Sequence, residues 1–189
     1  MEETLDAVRS DIVQRLSDAA NDRHSALHTP VVATADAGAR VMVLRSFDPL
    51  EWTLRFHTDV RAPKVSVIES DPRVTILAYD REAKLQLRLS GLGSIIREGP
   101  PADRAWAGST NFARRCYLGA GPGESATIAT SGLPLEFEGV EPDDEALAPA
   151  RANFAVLLVK VLEVDWFCLA HSGHRRAIVG PNDARWVTP

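Results

Sequence analysis

The hydrophobic positions along this chain change period several times, and the changes mark out its elements. Leu5, Val8, Ile12 and Leu16 recur at three- and four-residue spacing within residues 2–20, with acids early in the run. That pattern predicts an amphipathic N-terminal helix whose apolar stripe covers one end of a barrel. The period then falls to two. Residues 31–35 read as a first strand, closed by the turn Asp36-Ala37-Gly38. In the run from Arg40 to Arg45, Arg40, Met42 and Leu44 share one face while Val41, Val43 and Arg45 share the other. Residues 52–58 alternate in the same way. Asp48-Pro49 between the two runs is a turn signal, so they are expected to pair as an antiparallel hairpin.

Beyond Pro63, Val65, Val67 and Ile68 with Glu69 and Asp71 fit a short helix that ends before Pro72. Residues 73–79 form a strand and 80–83 a polar turn. In residues 84–91, Leu85, Leu87 and Leu89 face one side while Gln86, Arg88 and Ser90 face the other, and Gly91-Leu92-Gly93 permits a bulge before the strand resumes. Residues 100–118 are compatible with helix, with Asp103 as a candidate cap. The acidic stretch within 124–149 lacks periodicity and reads as a long loop with room for one helical turn. Residues 153–169 return to strand composition, as one long bent strand or two, and 175–179 are the last strand expected. Six or seven strands without βαβ alternation predict a mainly β, antiparallel barrel with peripheral helices, in a single domain over 1–189.

Composition narrows the function. A chain of 189 residues can bury a core without disulfides. Its formal charge of -5 argues against a nucleic-acid partner, so local cation clusters read as ligand sites or salt-bridged surface. The informative cluster is Arg40, Arg45 and Lys64 with the hydroxyl of Thr58. Guanidinium forks and an ammonium point charge are what a phosphate requires. Cys116 and Cys168 read as buried free thiols, and a reducing cytoplasm is expected from them. No signal peptide and no membrane span is expected from the charged start and the short apolar runs. The five histidines have no metal-ligand spacing, so no metal is expected. The glycines of 119–123 do not make a strand-to-helix phosphate loop, Cys116 has no arguable base, and no catalytic residue is assigned.

The ordered set Arg40-Val-Met-Val-Leu-Arg45, Phe56-His57-Thr58, Pro63-Lys64, Gln86 and Ser90-Gly91 resembles the pyridoxamine 5'-phosphate oxidase-like, FMN-binding split-barrel family over residues 31–179. The resemblance implies a six-stranded antiparallel split β-barrel with flanking helices that forms a homodimer, with FMN in each of two grooves at the interface. Arg40 and Lys64 would hold the ribityl phosphate. His57 and Thr58 would line the cofactor, Gln86 would contact its ring system, and Val41, Met42, Val43 and Leu44 would wall it, with Arg45 in the same set. The implied activity is an FMN-dependent oxidoreductase acting on a small molecule. The same fold also suits a protein that holds FMN, haem or another ligand without turnover, or one that uses a deazaflavin. Three departures stand out. Pro63 occupies a position where the family's loop has arginine. The helix after Pro101 lacks the Tyr, Arg and Ser set that grips the vitamin phosphate, leaving Trp106 nearby. His174-Arg175-Arg176 resembles the His-Arg substrate motif without its later arginine, which makes Trp106, His174, Arg175 and Arg176 the candidate substrate contacts.

Overall fold

The computed structural model describes residues 4–189, so Glu2, where the expected helix span begins, lies outside the described residues. Helix α1 (Leu5–Asn21) starts at Thr4, whose Oγ1 accepts the Ala7 N–H, and it buries Val8, Ile12, Leu16 and Ala19, the expected stripe. Its polar side is tied to the sheet. Arg9 donates to the carbonyls of Gly180 and Asp183, and the Trp166 indole donates to Asp11.

Among the described residues the nine strands are β1 (Val31–Thr34), β2 (Ala39–Val41), β3 (Ser46–Asp48), β4 (Thr53–Asp59), β5 (Arg73–Asp80), β6 (Leu85–Ile96), β7 (Phe154–Cys168), β8 (Arg175–Val179) and β9 (Ala184–Val187). They form one antiparallel sheet in the order β2-β1-β5-β6-β7-β4-β3, with β8 and β9 continuing from β7. This order places β2 and β3 at opposite edges, although only residues 42–45 separate them. Such a link reaches at most about 18 Å, so the sheet must roll until its edges meet. The link carries the backbone pairing across: the amides of Met42 and Leu44 donate to Pro30 and His28 on the β1 side, and the Arg45 amide donates to Arg55 on β4. Residues 39–48 thus serve as one crossing strand. With β1, β4, β5, β6 and β7 it makes a six-stranded split barrel.

The expected hairpin between residues 40–45 and 52–58 is corrected by this topology. Arg40 pairs with Val32 across the Asp36-Ala37-Gly38 turn, and only β3 pairs with β4, with Ser46 opposite Arg55 and Asp48 opposite Thr53. The alternation itself is present: Met42 and Leu44 are buried while Val41 is 63% exposed. The inward faces of the strands, including Val32, Leu54, Phe56, Ile76, Leu87, Leu89 and Leu157, fill the core.

The bend in β6 falls between Ser90 and Gly91, with Leu162 as the extra residue on β7. A Cβ at Gly91 would run into the Lys160 carbonyl oxygen, so a side chain there is excluded. Strand β7 is a single run of 15 residues. Strand β9 was not expected; it is four residues long and follows Pro181, too short to show a period. The expected helix over 100–118 is broken into α3 (Pro100–Ala107), α4 (Asn111–Arg114) and a 3-10 turn, with Thr110 capping α4. Gly99 caps α3, and Asp103 instead sits in its first turn and pairs with Arg151. The 124–149 segment holds a 3-10 turn and the short helix α5 (Asp144–Leu147). Cys168 is buried as expected, but Cys116 is exposed.

Candidate functional site

The clustered cations come together at the barrel seam. A cavity of about 330 Å³ is lined by Arg40, Val41, Met42, Val43, Arg45, His57, Thr58 and Lys64, and also by Asp59, Cys116, Tyr117 and Pro122. The first group comes from two sources: the crossing strand with its link, and the end of β4 with the start of helix α2 (Pro63–Ser70). Leu44 is core, 1% exposed, and does not line this cavity. Gln86 faces outward on β6 between Tyr79 on β5 and Phe167 on β7, away from this cavity.

Arg40 is held by its own hairpin. One Nη donates to the Val32 carbonyl at 3.2 Å and to Thr34 Oγ1 at 3.0 Å, while Asp36 in the turn is occupied with Thr34 and the Gly38 amide. Lys64 makes no hydrogen bond or ion pair among the described residues. Burial and the neighbouring Arg40 lower its pKa, with Asp59 opposing. Asp59 itself is claimed by Arg61, at 2.7 Å to Nη2 and 2.9 Å to Nε. Two cations therefore share one cavity with neither of them in an ion pair among the described residues, an arrangement that an anion stabilises. Pro63 is the first residue of α2, where a missing N–H removes nothing that the helix would have used. The open N-terminus of α2 adds its dipole to the two side chains.

The opposite wall is a strap that local sequence patterns did not mark. Arg61 Nη1 donates to the Gly119 carbonyl and Asn153 Nδ2 to the Tyr117 carbonyl, which draws Cys116, Tyr117 and Pro122 over the cavity. Burial raises the Tyr117 phenol, which stays protonated. Below it, Phe154 receives the rings of His57, Trp106 and Tyr117 edge-on at centroid distances of 5.0, 5.3 and 5.1 Å. Trp106 thus sits behind the wall rather than in it. His174, Arg175 and Arg176 lie on the β8 side: His174 packs on Phe167, Arg175 lies 3.6 Å from Cys168 Sγ, and Arg176 pairs with buried Asp165 at 2.7 Å. Arg114 and Arg115 are taken up by the fold, Arg114 on the Trp106 and Ala107 carbonyls and Arg115 on those of Phe137 and Val140.

His57 has its Nε2 buried without a partner. Burial first, then Arg45 and Arg55, bring its pKa down to about 4. The unfolded chain, with an ordinary histidine near 6.5, takes up a proton that the folded chain refuses, so this residue costs stability as pH falls from 6.5 towards 4. The His57→Gln variant should therefore melt higher relative to wild type at pH 4.5 than at pH 7.5, by on the order of 3 °C. Parallel pH dependences of the two melting curves would show that His57 is not held neutral.

Residues 9–97 match the family model described as pyridoxamine 5'-phosphate oxidase, FMN-binding domain. Among solved structures, a pyridoxamine 5'-phosphate oxidase-related, FMN-binding protein from Nostoc punctiforme superposes with a TM-score of 0.75 at 24% identity, covering all of both chains. PhzG from Burkholderia lata, in complex with tetrahydrophenazine-1-carboxylic acid, gives 0.64 at 18% identity over 99% of this chain and 94% of that one. A protein related to general stress protein 26 from Clostridium acetobutylicum gives 0.54 at 10% identity over 89% and 94%. At these identities the likeness is one of fold. No curated protein matches the sequence.

Proposed function

We propose that this chain is an FMN-dependent oxidoreductase acting on a small molecule, a reading supported by the match of residues 9–97 to the pyridoxamine 5'-phosphate oxidase FMN-binding domain model and by the shared fold. The carrying observation is the convergence of Arg40 and Lys64, neither in an ion pair among the described residues, on one cavity at the N-terminus of α2. A phosphate dianion matches that pair in charge and in donor geometry. Arg40, pre-set by Thr34 and Val32, presents its fork, and Lys64 supplies the point charge. The Thr58 hydroxyl, which has only a long 3.4 Å contact to Asp59 O, is free to turn towards the ligand. Val41 and Val43 give an apolar wall, and the unpartnered His57 Nε2 a polar contact. Bound FMN would supply two-electron transfer through its ring system, while the protein binds, orients and excludes water.

The outer face of the sheet supports a homodimer. Val31 and Val41 are paired across β1 and β2, Val31 pairs with Leu77 on β5, and Tyr79 follows on the same face; Val41, Leu77 and Tyr79 are exposed. Such a contiguous apolar patch is what a second copy would cover. Val41 belongs both to that patch and to the cavity wall, so a partner seated there reaches the cavity, and Gln86 on the same face is placed to meet the partner's cofactor. We propose a cytoplasmic location, a reading that the free thiols of Cys116 and Cys168 support. Among the described residues no helix is long and apolar enough to cross a membrane.

Purified chain titrated with FMN should quench flavin fluorescence with micromolar or tighter affinity, at one FMN per chain, and sediment as a dimer. Absence of binding at micromolar FMN would sink the flavin reading, and a monomer carrying a full complement of FMN would sink the dimer. A second reading, FMN held without turnover, is favoured by the internal commitments of Arg114 and Arg115, which leave the helix after Pro101 without that substrate grip. Anaerobic reduction by NADH or NADPH, followed by substrate-dependent reoxidation, excludes this second reading.

A further inference from the structure

Among the described residues Asp59 is the only acid lining the seam cavity, which it shares with Arg40, Arg45 and Lys64. Its carboxylate is buried, at 7% exposed, and left bare it would repel a phosphate brought there and compete for the Lys64 ammonium. Arg61 occupies it. The Arg61 amide at 2.8 Å and Nε at 2.9 Å donate to Asp59 Oδ1, and Nη2 donates to Oδ2 at 2.7 Å, so both carboxylate oxygens are taken. The remaining Nη1 donates to the Gly119 carbonyl at 2.9 Å, and Gly121 packs close to the Arg61 Cβ, so the strap holds the guanidinium from the other side. Glu124, whose Oε1 accepts the Gly121 amide, adds a charge that favours the Arg61 cation.

The same pairing across one intervening residue recurs at the far end of α2, where the Arg73 amide, Nε and Nη2 all donate to Asp71. That pair lies outside the seam cavity, with Arg73 exposed, and turns the chain into β5. The pair at Asp59 differs in being buried beside a cation that has no partner. Around Lys64 the charged and titratable groups are Arg40 and Arg45 from the crossing strand, His57 and Asp59 from β4, and Cys116 and Tyr117 from the strap. Asp59 favours the ammonium, while burial and Arg40 oppose it. Lys64 is therefore the partner that a freed Asp59 would take. We propose that Arg61 is a positioning residue of this cavity: by taking both oxygens of Asp59 it keeps the carboxylate off Lys64 and leaves the ammonium to the phosphate of the ligand. The assignment of that phosphate to FMN rests on the flavin reading; the competition between Arg61 and Lys64 for Asp59 does not.

The test is a double-mutant cycle on the full chain with two readouts. The first is FMN affinity by fluorescence titration. Arg61→Gln should weaken it about tenfold, the size of one charge-assisted contact, whereas Arg73→Gln should leave it unchanged. In the Asp59→Asn background there is no carboxylate to mask, so adding Arg61→Gln should alter FMN affinity by less than about twofold. A merely structural hold of Arg61 on the strap predicts the same tenfold loss in both backgrounds. The second readout is the titration of Lys64 in the ligand-free chain, followed by NMR after isotope-labelled reductive methylation; the chain has three lysines, Lys64, Lys84 and Lys160, and Lys64→Met assigns the signal. The Lys64 pKa should rise in Arg61→Gln and should not rise when Asp59→Asn is added. Unchanged FMN affinity in Arg61→Gln, a tenfold loss that persists in the Asp59→Asn background, or an unshifted Lys64 would each overturn the proposal. The comparison within the Asp59→Asn background leaves no carboxylate unpaired, so it decides the matter even where Arg61→Gln alone folds poorly. If FMN does not bind to wild type, the flavin reading falls, and the Lys64 titration alone decides whether Arg61 masks Asp59.

Discussion

Replacing Arg40 by Gln and Lys64 by Met together should weaken FMN binding by about 10²- to 10³-fold, read by fluorescence titration, while leaving the ligand-free protein folded. Each cation offers the phosphate charge-assisted hydrogen bonds worth roughly 1.5–3 kcal/mol to a charged group, and 1.4 kcal/mol is about a factor of ten. The single variants should each lose about tenfold or more, with Arg40 the larger because its fork is already fixed on Val32 and Thr34 and pays little ordering entropy on binding. The stability readout separates this from a structural role. Arg40 and Lys64 repel one another across the cavity, and burial already opposes the Lys64 charge. Removing Lys64, which makes no hydrogen bond or ion pair among the described residues, should leave the melting temperature of the ligand-free chain unchanged or slightly higher. An unaltered FMN affinity in the double variant would show that the phosphate is held elsewhere.

Phe154→Ala should be the most destabilising of the substitutions considered, by about 3–5 kcal/mol, as expected for a fully buried aromatic cut to a methyl group. Phe154 is 1% exposed, and its ring is the common contact of His57, Trp106 and Tyr117. Edge-on aromatic contacts add to the area it buries. Because His57 and Tyr117 are walls of the cavity proposed for FMN, the loss should extend to ligand affinity, which a core residue remote from the site would leave alone. Phe154→Leu should restore much of the stability but not the fixed ring positions. Denaturant unfolding gives the first quantity and FMN titration the second; a stability loss under about 1 kcal/mol in Phe154→Ala would mean that the aromatic cluster collapses around the gap and does not depend on Phe154.

Strand-forming runs were legible because alternation is a local property: the burial of Met42 and Leu44 and the exposure of Val41 follow from period two alone. Which strands pair is not local. Two turns competed for residues 40–45, and the tighter one won: the Asp36 carboxylate accepts from both Thr34 Oγ1 and the Gly38 amide, so the chain folds back on β1 after four residues, whereas the Asp48-Pro49 turn keeps only β3. The cation cluster was readable because Arg40, Arg45, Thr58 and Lys64 lie within 25 consecutive residues. Tyr117, Cys116 and Pro122 were not, since they reach the cavity through Arg61 and Asn153, contacts between segments that are distant in sequence. Pro63, which departs from the family's loop, turned out to occupy the one helical position that tolerates it.

Three of the four residues that join the two edges of the sheet, Met42, Val43 and Arg45, also line the seam cavity, and this ties two events into one. A partly assembled chain with β5, β6 and β7 in place has no seam and hence no binding site, because the link can settle only when both edges are already present. A ligand that needs Arg40 on one edge and His57 on the other therefore selects the fully rolled barrel over every open intermediate, and its binding energy is added to that one state. Ligand binding at the seam and completion of the barrel are thereby thermodynamically linked.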